Sequence, residues 1–273
     1  MALDYPALLG QLRIESDGLI ALLRRLGAED FGRATPAAGW AIRDQVSHLA
    51  YFDESAVSAI RTPDRFRADA AEMIAGGMDF PDRIAVKYRS VPAAGLLDWF
   101  LQARRDLFAT LDATEPRTRV PWFGPDMSVA SLATARLMET WAHGQDVYDA
   151  LELPHPASPG LRSIAHLGVS TFAFVHTLNG LEAPAEPVRV ELIDPITQGR
   201  WAWGPASAEN VVVGPAEDFV LAVTQRRHIA DTTLTVTGKV AATWMGIAQA
   251  FAGAPSSGRD RASTTAAPTG AHS

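Results

Sequence analysis

"SVASLATARLMETWAHGQDVYDAL", residues 128–151, is the stretch of sequence that decides the fold. Apolar residues occur on nearly every side of the α-helix that it predicts, which is typical of a buried helix. Four polar residues nevertheless share one stripe of that helix, at i, i+3, i+7 and i+10: Arg136, Glu139, His143 and Asp146. Because an isolated buried charge is costly, these groups must pair or bind a ligand. The stripe alone is consistent with either an internal salt bridge of Arg136 or a ligand site.

The chain that precedes this stretch reads as further amphipathic helices separated by Pro/Gly-containing loops. Ser128 is predicted to cap the helix that follows it. Long helices joined by loops indicate an antiparallel four-helix bundle. The other predicted helices cover residues 4–27, 42–61, 64–75 and 92–112, and "GGMDFPDR", residues 76–83, is predicted to be a loop.

The sequence pattern changes after "ELPHPASPG", residues 152–160. One more helix is predicted, and strand-like runs then alternate with two short helices, which indicates an α+β part. We therefore predict two domains, residues 1–155 and 156–253, followed by a small, polar, disordered tail over 254–273. The predicted helices are 159–180, 215–225 and 239–252, and the predicted strands are 188–193, 200–203, 211–213 and 232–238.

Composition excludes several classes of function. The 273 residues carry a formal net charge of −7 and no basic run, so a nucleic-acid partner is not expected. The chain has no cysteine, so any metal must be held by imidazole and carboxylate groups, and any thiol chemistry must use a small-molecule thiol. No stretch reads as a signal peptide or a membrane span, and we expect a cytoplasmic protein with no membrane partner.

Glu139 and His143 lie four residues apart, so both side chains can reach one ion. Because two ligands do not hold a divalent metal, a third must come from another helix, and His48 in "DQVSHLAYFDES" is the candidate. The position of His48 on its helix permits its side chain to point inward without requiring it. The alternative to a metal ligand is a partly buried histidine that is hydrogen-bonded. Asp53 lies on the inward stripe of the same helix, which suits a partner that orients a ligand imidazole.

Two segments resemble the DinB-like, mycothiol-dependent maleylpyruvate isomerase family: "GWAIRDQVSHLAYFDESA", residues 39–56, and "ARLMETWAHGQDVYDAL", residues 135–151. The resemblance implies a four-helix bundle that holds a divalent metal, typically zinc, through His48, Glu139 and His143. It covers roughly the first 155 residues. The later half is similar to the family's C-terminal domain, which is related to sterol-carrier-like folds.

The resemblance also implies a zinc-dependent enzyme, an isomerase or an S-transferase, with mycothiol as thiol cofactor or co-substrate. A metal-bound thiolate would add to a small electrophilic molecule. Arg136 and Asp146 would neutralise and orient the metal ligands and so take part in catalysis. From the residues themselves, Arg226 and Arg227 are candidates for cationic contacts to the thiol or an anionic substrate, and Trp122 is a candidate for an apolar wall of the site. We expect a monomer or a homodimer.

Alternatives remain open from the residues themselves. The same ligand types can hold Fe(II) for oxygen chemistry or activate water for hydrolysis. A small-molecule carrier with a structural metal is a further possibility. Arg226 and Arg227 could instead be charges at a helix C-terminus, and the loop that contains Trp122 could be a packed connector.

Overall fold

The computed structural model describes residues 4–256 and 258–262. Within these residues the chain forms ten α-helices and six β-strands. The helices are α1 (Tyr5–Leu23), α2 (Ile42–Arg61), α3 (Pro63–Ala75), α4 (Phe80–Tyr88), α5 (Ala93–Asp112), α6 (Val129–Ala150), α7 (Leu161–Ser170), α8 (Phe172–Leu178), α9 (Ala216–Val223) and α10 (Lys239–Ile247). The strands are β1 (Arg119–Val120), β2 (Met127–Ser128), β3 (Val188–Ile193), β4 (Arg200–Trp203), β5 (Asn210–Pro215) and β6 (Thr235–Thr237).

The four long helices α1, α2, α5 and α6 pack together in the first half of the chain. Helix α2 contacts α5 and α6, and α1 contacts mainly α6. The burial of α6 matches its sequence pattern, since Leu137 and Trp141 are almost inaccessible to solvent. The predicted combination of a helical part with a small sheet is confirmed.

Side-chain caps mark the first residues of α1 and α6. The Oδ1 of Asp4 accepts a hydrogen bond from the backbone N–H of Ala7 at 3.0 Å, which caps α1. The Oγ of Ser128 accepts from the backbone N–H of Ser131 at 3.1 Å, so the predicted cap of α6 is confirmed. This cap fixes where α6 begins.

The prediction of a loop over residues 76–83 is wrong at its C-terminal end, because α4 begins at Phe80. A proline in the first turn costs no helical hydrogen bond, and this turn contains Pro81. Phe80 and Ile84 are then buried in a cluster with Phe52 of α2, which provides the burial that stabilises so short a helix.

The second half of the chain contains a four-stranded sheet of order β4-β3-β5-β6. Strands β3 and β5 are parallel, while β4 and β6 are antiparallel to their neighbours. Helices α9 and α10 pack on this sheet. The single helix predicted over 159–180 is divided at Thr171 into α7 and α8.

One hydrophobic cluster extends from the helices into the sheet. It includes Leu8 of α1, Trp141 of α6, Val190 of β3, Phe219 of α9 and Trp244 of α10. The two halves of the chain therefore share buried contacts, and the domain division at residue 155 stays a prediction. No helix in the described part of the chain has both the length and the apolar character needed to cross a bilayer.

The predicted disordered tail, residues 254–273, falls largely outside the described residues, which exclude 257 and 263–273. The described residues 258–262 lie against the rest of the protein: Arg259, for example, forms an ion pair with Asp146 of α6. This contact was not anticipated from the sequence.

Candidate metal centre

Three side chains from two helices converge inside the helical part of the protein. His48 comes from α2, and Glu139 and His143 come from α6; one ligand atom of each lies within 4.8 Å of the others. The Oε2 of Glu139 is 3.4 Å from Nε2 of His48 and 3.0 Å from Nε2 of His143. Two imidazoles and a carboxylate at this separation form a set of ligand types that suits a divalent transition metal.

The packing of α2 against α6 brings His48 to the other two groups. Glu139 and His143 are one helical turn apart, so they share a face of α6. The rings of His48 and His143 lie 4.2 Å apart between centroids, and both residues are buried. The three residues predicted from the sequence are thus brought together in space.

Gln45 is a part of this centre that the sequence did not reveal. Its Oε1 lies 2.5 Å from Nδ1 of His143, and its Nε2 donates to Oγ1 of Thr35 at 2.9 Å. Because the amide nitrogen is used by Thr35, the oxygen faces the imidazole, and Nδ1 of His143 is the donor. The lone pair on Nε2 of His143 is then directed to the side of Glu139, where a metal would lie.

Burial sets the protonation of the two histidines. Desolvation, together with the nearby His48, lowers the pKa of His143 to about 4. Desolvation likewise lowers the pKa of His48. Burial would raise the pKa of Glu139, but its close contacts with His143 and His48 outweigh this and hold that pKa well below its usual range. Neutral imidazoles beside an ionised carboxylate are the forms that bind a metal ion.

Aromatic rings enclose the centre on two sides. The indole of Trp40 lies 5.4 Å from the ring of His48 and stacks at 5.9 Å from that of His143. Its Nε1 donates to Oδ1 of Asp82 at 2.7 Å, which fixes the indole over the imidazoles. On the same face of α2, one turn further along the helix, Phe52 packs 4.5 Å from His48. These rings limit the access of water to the three polar groups.

Asp53 does not orient an imidazole as predicted. Its Oδ2 accepts from Nε of Arg104 at 2.6 Å, and its Oδ1 accepts from Nε of Arg136 at 3.0 Å. Arg136 also donates to the backbone carbonyl of Leu49 on α2 at 3.4 Å. All three charged groups are buried. Arg136 therefore ties α6 to α2 directly behind His48, and its guanidinium is directed into the bundle.

A pocket of about 560 Å³ opens beside His143. Its cationic groups are Arg226, which follows α9, and Arg259, and both lie near the carboxylate of the buried Asp146. Trp40 forms part of the opposite wall. This volume is within the range of small-molecule sites. The lining residues are Pro36, Ala37, Ala38, Trp40, His143, Asp146, Gln225, Arg226, Phe251, Ser256, Gly258, Arg259 and Asp260.

Two other predicted contact residues lie outside this pocket. Arg227 makes a bidentate pair with Asp149, at 2.7 and 2.8 Å. Trp122 stacks on Phe66 at 5.6 Å and packs against Phe52, so one aromatic ring separates it from His48. Of the predicted contact residues, Arg226 shares the pocket with a histidine of the centre.

Comparisons with known proteins agree with this architecture. Residues 12–148 match the family described as mycothiol maleylpyruvate isomerase N-terminal domain. The chain is 45% identical over 257 residues to the uncharacterized proteins MT0041 and Rv0036c of Mycobacterium tuberculosis, strains CDC 1551 / Oshkosh and H37Rv, covering 94% of this chain and 99% of each relative.

Solved structures provide the fold comparison. A crystal structure of the mycothiol-dependent maleylpyruvate isomerase aligns with a TM-score of 0.58 at 16% identity, covering 86% of this chain and 93% of that one. A histidine-to-alanine mutant of that isomerase aligns with the same TM-score at 15% identity, covering 85% and 93%. At this identity the likeness shows a shared fold.

Proposed function

This chain belongs to the mycothiol maleylpyruvate isomerase family, and from that premise we propose that it is a zinc-dependent enzyme with mycothiol as its thiol cofactor or co-substrate. In this enzyme the thiol would add to an electrophilic carbon of a small molecule; its later elimination would give isomerisation, and its retention would give thiol transfer. The observation that carries the proposal is the convergence of His48, Glu139 and His143 beside a pocket with cationic groups.

The residues present fit the metal. The Nε2 atoms of His48 and His143 both approach Oε2 of Glu139, and Gln45 directs the free lone pair of His143 towards the same side. Three protein ligands are the number typical of a catalytic zinc, whereas structural sites usually have four. When bound, zinc supplies a Lewis acid that lowers the pKa of a coordinated thiol, so that the thiolate is available near neutral pH.

Other side chains would bind the electrophile and hold the groups around it in position. Arg226 presents a guanidinium to the pocket, where it can bind a carboxylate or another anionic group of the electrophile. Asp146 offsets part of the positive charge and holds that guanidinium. Trp40 covers the imidazoles and excludes water from the thiolate, which favours addition over side reactions. Arg136 acts at a distance, because it fixes α2 against α6.

We also propose that the chain has two domains. The four long helices would correspond to a DinB-like bundle ending near residue 155, and the sheet with its helices to a sterol-carrier-like domain over 156–253. The order of helices and strands supports this division.

Mass spectrometry of the products tests the proposed reaction and distinguishes its two forms. The zinc-loaded protein is incubated with mycothiol and maleylpyruvate. Isomerisation gives a product of unchanged mass that liquid chromatography separates from maleylpyruvate before the mass is measured, and transfer gives an adduct heavier by one mycothiol. We expect one of these products from the wild type and from His166→Ala, an exposed histidine used as control, and neither from His143→Ala. Equal turnover by His143→Ala would contradict the proposal.

A further inference from the structure

One wall of the pocket comes from the far end of the described chain. We call residues 258–262 the C-terminal strap. Gly258 and Arg259 line the pocket. The backbone N–H of Ala262 donates to Oδ2 of Asp231 at 2.7 Å, which fixes the other end of the strap. The strap is therefore attached on the C-terminal side of Arg259.

Arg259 makes three polar contacts although it lies near the end of the described chain. Its Nη2 pairs with Oδ1 of Asp146. Its Nη1 donates to the backbone carbonyl of Arg226 at 2.7 Å and lies 3.6 Å from Oδ2 of Asp149. The side chain is 19% exposed, so these contacts are poorly accessible to water. These three contacts hold the guanidinium of Arg259 in one position.

The guanidinium of Arg226 is held at two of its nitrogens. Its Nε donates to the backbone carbonyl of Ala142 at 3.0 Å and lies 3.1 Å from Oδ2 of Asp146. Its Nη1 donates to the backbone carbonyl of Thr224 at 2.7 Å. Among the described residues Nη2 has no hydrogen-bond partner, so this edge of Arg226 is available to a ligand in the pocket.

The two arginines divide one carboxylate between them. Arg259 occupies Oδ1 of Asp146, and Arg226 lies at Oδ2. If Oδ1 were free, Arg226 could rotate to pair with both oxygens, because bidentate pairing with a carboxylate is the arrangement a guanidinium favours. That rotation would break the bond to Ala142 and change the direction of the free edge of Arg226.

We propose that Arg259 is a positioning residue for Arg226: by occupying Oδ1 of Asp146 it keeps the free edge of Arg226 directed at an anionic ligand. This inference rests on the proposed function for the identity of the ligand. The pocket is thereby completed by the C-terminal strap, and its affinity for a carboxylate depends on a residue outside the helices and the sheet.

The test compares Arg259→Ala with Arg261→Ala in the full zinc-loaded chain. Arg261 is the matched control, since it belongs to the same strap, is 68% exposed and lies 3.9 Å from its partner Asp231. The probe is succinate, a dicarboxylate without an electrophilic carbon, titrated by calorimetry. We expect about 10-fold weaker succinate binding in Arg259→Ala, the equivalent of one lost charged contact. Arg261→Ala should match the wild type, and Arg259→Lys should recover part of the affinity.

A second readout does not depend on any ligand. The Nε–H of Arg226 is bonded to a carbonyl, so it should give a protected side-chain signal in ¹⁵N NMR spectra, assigned through Arg226→Lys. Arg259→Ala should lose or shift that signal, whereas Arg261→Ala should keep it. An unchanged Arg226 signal in Arg259→Ala, or unchanged succinate affinity, would overturn the positioning role. A selective signal change without succinate binding by the wild type would support positioning and contradict the proposed anionic ligand.

Discussion

Gln45 of α2 and His143 of α6 are joined by a contact of 2.5 Å between Oε1 and Nδ1. This contact connects the two helices that carry the candidate ligands, and it selects the tautomer of His143 in which Nε2 is free to bind a metal. The centre therefore depends on an uncharged side chain that is not itself one of the converging metal-binding groups.

Gln45→Ala is expected to weaken zinc binding by roughly 10- to 100-fold, the usual effect of removing a group that orients a metal ligand. Without the amide oxygen, His143 can adopt the other tautomer and turn its ring. Competition with a chromophoric chelator measures the zinc affinity. Gln102→Ala, at an exposed glutamine of α5, is the control. Equal zinc affinity in Gln45→Ala and wild type would show that Gln45 is only a packing residue.

The candidate ligands were predictable from the sequence, and Gln45 was not. Glu139 and His143 are four residues apart on one predicted helix, and both are common metal ligands. His48 was a candidate from its residue type and its helix, and the resemblance to a known family favoured it over the alternative of a hydrogen-bonded histidine. Glutamine has no comparable signature, because its role arises only when α2 packs against α6 and against Thr35. Local periodicity in a sequence does not indicate which residues of distant elements come into contact.

Asp53→Ala is expected to lower the free energy of unfolding by about 3–5 kcal/mol, because Arg104 and Arg136 would be left as buried charges without their carboxylate. Urea denaturation followed by circular dichroism measures this. Asp98→Ala, at an exposed aspartate of α5, should change stability by less than about 0.5 kcal/mol. A loss below about 1 kcal/mol for Asp53→Ala would mean that the buried charges are otherwise compensated.

The partners of Asp53 were not predictable from the sequence. The inward position of Asp53 on α2 was predicted correctly, yet its partner was predicted to be a histidine. Arg104 reaches it from α5 and Arg136 from α6. Long side chains on neighbouring helices have several possible partners, and only the relative placement of the helices selects one.

Asp149 is expected to contribute stability that depends on pH. Burial would raise its pKa, but hydrogen bonds from Arg227 and Gln145 outweigh burial and lower that pKa below its usual value of 3.8. A group whose pKa is lowered by folding stabilises the protein above the unfolded-state value, and that contribution disappears as the pH falls through the folded-state value. Its contribution should therefore be full at pH 7 and decline below about pH 4.

Asp149→Asn tests this, with an expected loss of about 1–3 kcal/mol in the free energy of unfolding at pH 7. The difference from the wild type should shrink as acid unfolding is followed below about pH 4. A difference that is constant between pH 7 and pH 3 would mean that the charge of Asp149 is not its source.

The most direct test of the central claim is elemental analysis of the purified wild type beside His48→Ala, followed by calorimetric titration of both with mycothiol. His48→Ala removes one of the three converging groups and leaves the Asp53 cluster untouched. About one zinc per chain and saturable mycothiol binding in the wild type, both lost in a folded His48→Ala, are the predicted results. Iron in place of zinc with no thiol binding, or equal zinc content in the two proteins, would contradict the claim that His48, Glu139 and His143 hold a zinc ion that activates a thiol.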